Sequence, residues 1–275
     1  MKKIIKNKLF IFITMTIIFS GIGIYAATTY KASDIVYSPS NGTATNVNEA
    51  LNELYKMKNN NIDINTYTSN FKIAVSSGTG TTTSTITVPT GTKTGYLFVV
   101  SNAFFVPTLS LTGDGIKTQK LVGTWQASQG SMKANHIINI YYCEFNEGKT
   151  ITATGTAEGN NHATSIAIIT GLPNNLAIAS SNGIGTKSLS LTVPDDVKSG
   201  YVIAIANAYY VPDLYIEGNG IYTQTLLGTW SASQGSMKAN HIVKIYYCIF
   251  NGSKNINSYM YSSGDNYAIS TGILK

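Results

Sequence analysis

The chain has 275 residues, of which 43% are hydrophobic and only 12% charged, about half the charged fraction of an average soluble domain. Its formal charge of +6 is concentrated at the start, where Lys2, Lys3, Lys6 and Lys8 precede every acidic residue; the fifteen later lysines meet thirteen Asp and Glu, leaving +2. Scattered lysines of this kind lack the clustered basic stripe of a nucleic-acid footprint, so nucleic acid is not expected as a partner.

The four lysines lead into an essentially uncharged run from Leu9 to Ala27. A basic segment before such a run is an export signal, and its charge places the C-terminus outside the cytoplasm. Residues 1–27 therefore read as a signal peptide, with Ala26 and Ala27 as small residues for cleavage, or as a retained membrane anchor, since 19 residues suffice to span a bilayer. Either reading puts the rest of the chain on the extracellular face, anchored or secreted, and makes the membrane a partner through this segment.

Residues 28–70 form a linker. Ser38-Pro39-Ser40-Asn41-Gly42 is a turn signal. A helix is predicted over about 46–58, with Asn46 as cap, Glu49 completing the capping-box spacing, and Val47, Ala50, Leu51 and Leu54 on one apolar stripe. A helix this short needs a packing surface: the first module, the membrane, or other copies of itself, so self-association through 46–58 is one expectation.

Beyond the linker the sequence repeats. Tyr96 and Tyr201, Trp125 and Trp230, His136 and His241, Cys143 and Cys248 are all separated by the same offset of 105. The repeats occupy 71–175 and 176–275, and a period this long suggests two beads rather than a solenoid. Within each, runs such as Thr85 to Val88, Tyr96 to Val106, Leu109 to Thr112, Ile137 to Phe145, Lys149 to Thr156 and Thr164 to Ile169 are bounded by Pro or Gly turns. Seven or eight short strands per repeat predict an all-β fold of two tandem β-sandwich modules, jelly-roll or Ig-like. In the Ile137 to Phe145 strand, Ile138, Ile140 and Tyr142 are expected to face the core, with Asn139, Tyr141 and Cys143 on a partly covered face.

The repeat also tests for chemistry. After a shift of 105 no acidic residue coincides with another: Asp114 meets Asn219, Glu144 meets Ile249, and Asp213 meets Thr108. This excludes a paired-carboxylate site common to both copies. Each copy shares one histidine and one cysteine, too few for a zinc site, and their separation of seven residues in one strand disfavours a Cys–His nucleophile. No catalytic residue, metal or cofactor is expected, and an enzyme confined to one module is a distant alternative. One cysteine per copy reads as a buried free thiol.

The residues from Gly123 to Ile137 and from Gly228 to Ile242 differ only at Gln126 and Ser231. Three origins fit this likeness: recent duplication, a structural loop, or a ligand surface. In the last, Trp125, Gln129, Lys133, Asn135 and His136, with Trp230, Gln234, Lys238, Asn240 and His241, would offer flat rings and polar handles to a sugar or a peptide.

The leader ending Tyr25-Ala26-Ala27-Thr28, then Tyr30-Lys31-Ala32-Ser33-Asp34-Ile35 and Val47 to Tyr55 (VNEALNELY), resembles the N-terminal part of exported Firmicutes proteins of unassigned function. The Trp with the later Ile140-Tyr141-Tyr142, repeated as Trp230 with Ile245-Tyr246-Tyr247, resembles β-sandwich modules of phage-tail and surface-adhesin proteins. These resemblances imply an exported cell-surface structural or adhesion protein without catalytic activity. The alternative is a carbohydrate-binding pair, which requires both Trp rings to lie exposed; the partner would then be a surface glycan, or else a protein ligand.

Overall fold

Thr83–Thr87 (β2) shows on a small scale why this sequence forms strands. Ser84 and Ile86 are buried and Thr83, Thr85 and Thr87 beside them exposed, the period-two pattern of a strand half in water. The computed structural model describes residues 70–275 apart from 79–80, 106, 128–134, 157–161, 174–177, 185, 211, 234–239, 253 and 263–266. The export segment, the 46–58 helix, Gln129, Lys133, Gln234 and Lys238 lie outside the described residues.

The described residues form sixteen strands in two sets of eight. The first set is Lys72–Gly78 (β1), β2, Thr94–Ala103 (β3), Thr108–Thr112 (β4), Ile116–Ala127 (β5), Asn135–Phe145 (β6), Thr150–Thr156 (β7) and Ala163–Thr170 (β8). The second is Ile178–Ile184 (β9), Ser188–Thr192 (β10), Ser199–Ala208 (β11), Asp213–Glu217 (β12), Ile221–Ala232 (β13), Asn240–Phe250 (β14), Asn255–Tyr261 (β15) and Tyr267–Leu274 (β16). Each set makes an antiparallel five-stranded sheet, in orders β1-β8-β3-β6-β5 and β9-β16-β11-β14-β13, and a three-stranded sheet, β2-β7-β4 and β10-β15-β12. This is an all-β protein of two sandwich-like groups.

Two strands of the first set, and their counterparts β9 and β13 in the second, escaped the sequence reading. β1 lies before the first run recognised there, and β5 carries Lys117, Thr118, Gln119 and Lys120 where an apolar alternation would be sought. Of the Gly123 to Ile137 stretch, the described residues are therefore strand: Gly123 to Ala127 belong to β5 and Asn135 onward to β6. The chain turns after β4 and β12 at Gly113-Asp114-Gly115 and Gly218-Asn219-Gly220. Gly113 has φ 105° and Gly218 φ 131°, and a Cβ on either would stand 2.4 Å from the carbonyl oxygen of Thr150 or Asn255. Glycine is required at both.

The first core lies between β3, β6 and β8 of the large sheet and β2 and β7 of the small one, where Leu97, Val99, Cys143, Phe145, Ile151 and Ile168 pack. The second core repeats it with Val202, Ala204, Cys248, Phe250, Ile256 and Ile273. This reverses the predicted faces of β6: Cys143 and Phe145 point into the sandwich core. Ile138 and Ile140, also fully buried, point the other way. What covers them is the second set of strands. The two sets are not separate beads; Asn65–Lys275 is one compact unit, in which β5 packs on β9 and β16, and β13 on β1 and β8. The result is four layers, with the two five-stranded sheets back to back in the middle.

Candidate functional site

The near-identical stretches meet in that middle seam. Trp125 pairs in register with Ile138 across β5 and β6, and Trp230 with Val243 across β13 and β14, so both indoles project toward the opposite sheet. Trp125 is 2% exposed and Trp230 5%. The Trp125 ring lies so close over Gly272 of β16 that a Cβ there would fall 2.1 Å from it. Trp230 stands edge-on to Phe98 of β3, with ring centroids 6.4 Å apart. Gly123 sits against Ile178 and Gly228 against Ile73, contacts that exchange with each other under the 105-residue shift. The seam thus has the reciprocal form of a twofold dimer interface within one chain.

Four polar pairs sit inside it. His136 and Asn102 are register partners on β6 and β3, as are His241 and Asn207 on β14 and β11. Each histidine reaches across the seam: His136 Nδ1 meets Asn207 Oδ1 and its Nε2 lies 2.7 Å from Ser270 Oγ. Reciprocally, His241 Nδ1 lies 2.5 Å from the Asn102 amide and its Nε2 2.7 Å from Ser165 Oγ. The surroundings orient the Asn102 amide so that its nitrogen donates to His241 Nδ1 and to the Ala163 carbonyl, while its oxygen accepts from the Asn240 N–H. His241 then carries its proton on Nε2 and donates to Ser165 Oγ, which also accepts from Trp230 Nε1–H at 3.1 Å.

Both imidazoles are fully buried, and burial pushes their pKa down, to about 4 for His136 and about 3 for His241, the latter also lowered by the neighbouring His136. They are neutral at ordinary pH. Such a pair can hold two surfaces in register, but it has no path to solvent substrate. Asn135 and Asn240, also buried, donate through Nδ2 to the carbonyls of Phe104 and Tyr209 at 2.5 Å, tying the β3–β4 and β11–β12 connections in both sets. Of the ten residues predicted as a ligand surface, the six that are described are therefore all interior. With both Trp rings buried, the exposed stacking platform required by the carbohydrate reading of this stretch is not there.

The residues that complete the seam, Asn102, Asn207, Ser165 and Ser270, were missed in the sequence. Their signal was present: an Asn or Ser at the same place in both copies, inside runs that are otherwise mostly apolar. A polar side chain in such a strand needs a polar partner, and the partner is the other copy's histidine.

Cys143 and Cys248 are free and buried, as expected, and burial pushes both thiols up to about 12. Among the described residues no group of three or more His, Cys, Asp or Glu could hold a metal ion, and no helix is long and apolar enough to cross a membrane. Comparison with known proteins returned no matching family model, no matching curated protein and no matching solved structure.

Proposed function

We propose that this is an exported, non-catalytic surface protein in which the two sandwiches act as one rigid body for display or adhesion. The observation that carries the reading is where the chain spends its most nearly repeated residues. Trp125, His136 and their copies lock one sandwich onto the other, leaving the outer sheets and the sheet ends free for contact. A rigid four-layer block with a polar outside, behind a basic and then apolar leader, fits a body held away from a membrane. The basic start and the 19-residue run support export, and either a retained anchor or cleavage near Ala27 is compatible with it.

The strand pairing also favours the jelly-roll over the Ig-like form. β1 pairs with β8, β2 with β7 and β3 with β6, and β9 with β16, β10 with β15 and β11 with β14. These three nested pairs in each set match those of one long hairpin rolled over on itself, as in a jelly roll, while β4 pairs with β7 and β5 with β6 rather than with each other.

Surface exposure tests the proposal. With an epitope tag at the C-terminus, external proteinase K should remove the tag from intact cells. A tag protected until the cells are lysed would contradict it. Mass spectrometry of the mature N-terminus separates the anchor, with residues 1–27 retained, from a cleaved signal.

A further inference from the structure

The two outer sheets, equivalent by the repeat, carry different chemistry on their solvent faces. In the first set every outward position of β2, β4 and β7 is Thr or Ser, from Thr83 to Thr87, Thr108 to Thr112 and Thr150 to Thr156. Some of these hydroxyls bond each other, as Thr85 does Thr152 at 2.8 Å. In the second set the corresponding positions of β12 and β15 hold aromatic, amide and acidic groups in cross-strand pairs: Asp213 with Tyr261, Tyr215 with Tyr259, and Glu217 with Asn257.

From this face we infer a binding site for a neutral linear oligosaccharide along β12 and β15, a reading that rests on, and extends, the surface-display function proposed above. The Tyr215 and Tyr259 rings are stacked, with centroids 5.3 Å apart and planes at 19°, so together they form one fixed aromatic surface. Tyr215 is 43% exposed and Tyr261 79%. One rung further along, the strip opens into a depression of about 770 Å³ lined by Glu217, Gly218, Asn219, Lys254, Asn255 and Asn257. Aromatic platform and polar hollow are thus continuous.

The chemistry selects a sugar chain over a protein. All the aliphatic side chains of these strands, Leu214, Ile216, Ile256 and Met260, point inward and are buried. The face therefore offers no apolar pocket for the anchor residue that a protein interface needs. It does offer ring surfaces for the C–H faces of a pyranose. Three asparagine amides, of Asn219, Asn255 and Asn257, and the Glu217 carboxylate supply donors and acceptors for hydroxyls. Charge on the face is balanced rather than one-signed: Lys254 lines the hollow with Glu217, and Lys244 lies 3.4 Å from Asp213. That balance favours a neutral ligand. Six residue steps from Asn255 to Tyr261 span about 20 Å of extended strand, enough for several sugar rings in a line.

The test uses the purified full chain on an array of linear oligosaccharides built from glucose, N-acetylglucosamine or galactose, with sulfated and uronate chains as charged counterparts. The expected result is retention of at least one neutral chain. That signal should fall about tenfold or more in Tyr259→Ala and Tyr215→Ala, survive in Tyr259→Phe, which keeps the ring, and stay unchanged in Thr154→Ala at the matching place in the first set. Circular dichroism identical to the parent confirms that the variants fold. Retention of charged chains only, a signal insensitive to both alanine variants, or a signal lost in Thr154→Ala would overturn the site. A blank array from a chain that proteinase K reaches on intact cells overturns the site alone and leaves the display function standing. Protection of the chain inside the cell overturns the display function instead.

Discussion

At the residue scale the seam is decided by two histidines that must stay neutral. His136 and His241 have folded values near 4 and 3, below the ordinary imidazole value of about 6.5. The unfolded chain therefore binds more protons than the folded one between these limits. The stability that follows from neutral imidazoles is fully present above about pH 6.5. It falls as pH drops, by up to about 1.4 kcal/mol per histidine per pH unit, and the loss levels off below the folded values. The urea midpoint should accordingly be lower at pH 5 than at pH 7, and replacing both histidines with Gln should weaken that dependence. Equal midpoints at the two pH values would mean that the imidazoles are not buried. The cysteines supply a second check at this scale. With both thiols pushed up to about 12 by burial, Ellman's reagent at pH 8 should find no reactive thiol until denaturant is added; rapid labelling of the folded chain would contradict the packing of Cys143 and Cys248 into the two cores.

At the element scale the fold was legible wherever a strand has one wet face. β2 and β7 alternate Thr with Ile, Ala or Ser, and the sequence reading placed both. It located β3 and β6 but misread the faces of β6, because alternation carries no information when neither face is wet. Tyr96 to Val100 and Tyr201 to Ala206 are continuous apolar runs, the mark of strands buried on both sides, and that mark is what separates a four-layer block from two beads. The histidine and tryptophan stretch stands out in the sequence by its near-identity in both copies, yet its role was hidden, since its partners lie at Asn102, Asn207, Ser165 and Ser270, distant in sequence. Packing across the middle layers is tight enough to test at one position. Gly272 on β16 lies under the Trp125 ring, whereas the first set has Ala167 at the matching place. Gly272→Ala should cost about 1–3 kcal/mol through overpacking, measured by urea unfolding, with Trp125 fluorescence shifted. A neutral effect would show that the ring is free to move aside.

At the scale of the whole molecule, apolar burial supplies the adhesion between the two sandwiches and the polar network supplies its register. Each buried indole removes roughly 150–250 Å² from water, worth on the order of 4–6 kcal/mol as an upper estimate, whereas each neutral hydrogen bond contributes only about 0.5–1.5 kcal/mol net. An unpaired His or Asn in that seam would cost more than its bond contributes, so the network penalises any shifted docking. Because the contacts are reciprocal, a single repeat carries both halves of the interface. A fragment of residues 71–175 would expose Trp125, Phe98, Ile138 and Ile140, and gel filtration should find it as a dimer or larger species; a stable monomer would mean that the seam is weak. The central claim, that the two repeats form one body through this seam, is tested most directly by calorimetry of the intact 71–275 region. One transition, with calorimetric and van't Hoff enthalpies equal, is the predicted result, and a lower single transition is predicted for Trp125→Ala, which should lose about 3–5 kcal/mol. Two transitions, with Trp125→Ala moving only one of them, would contradict it.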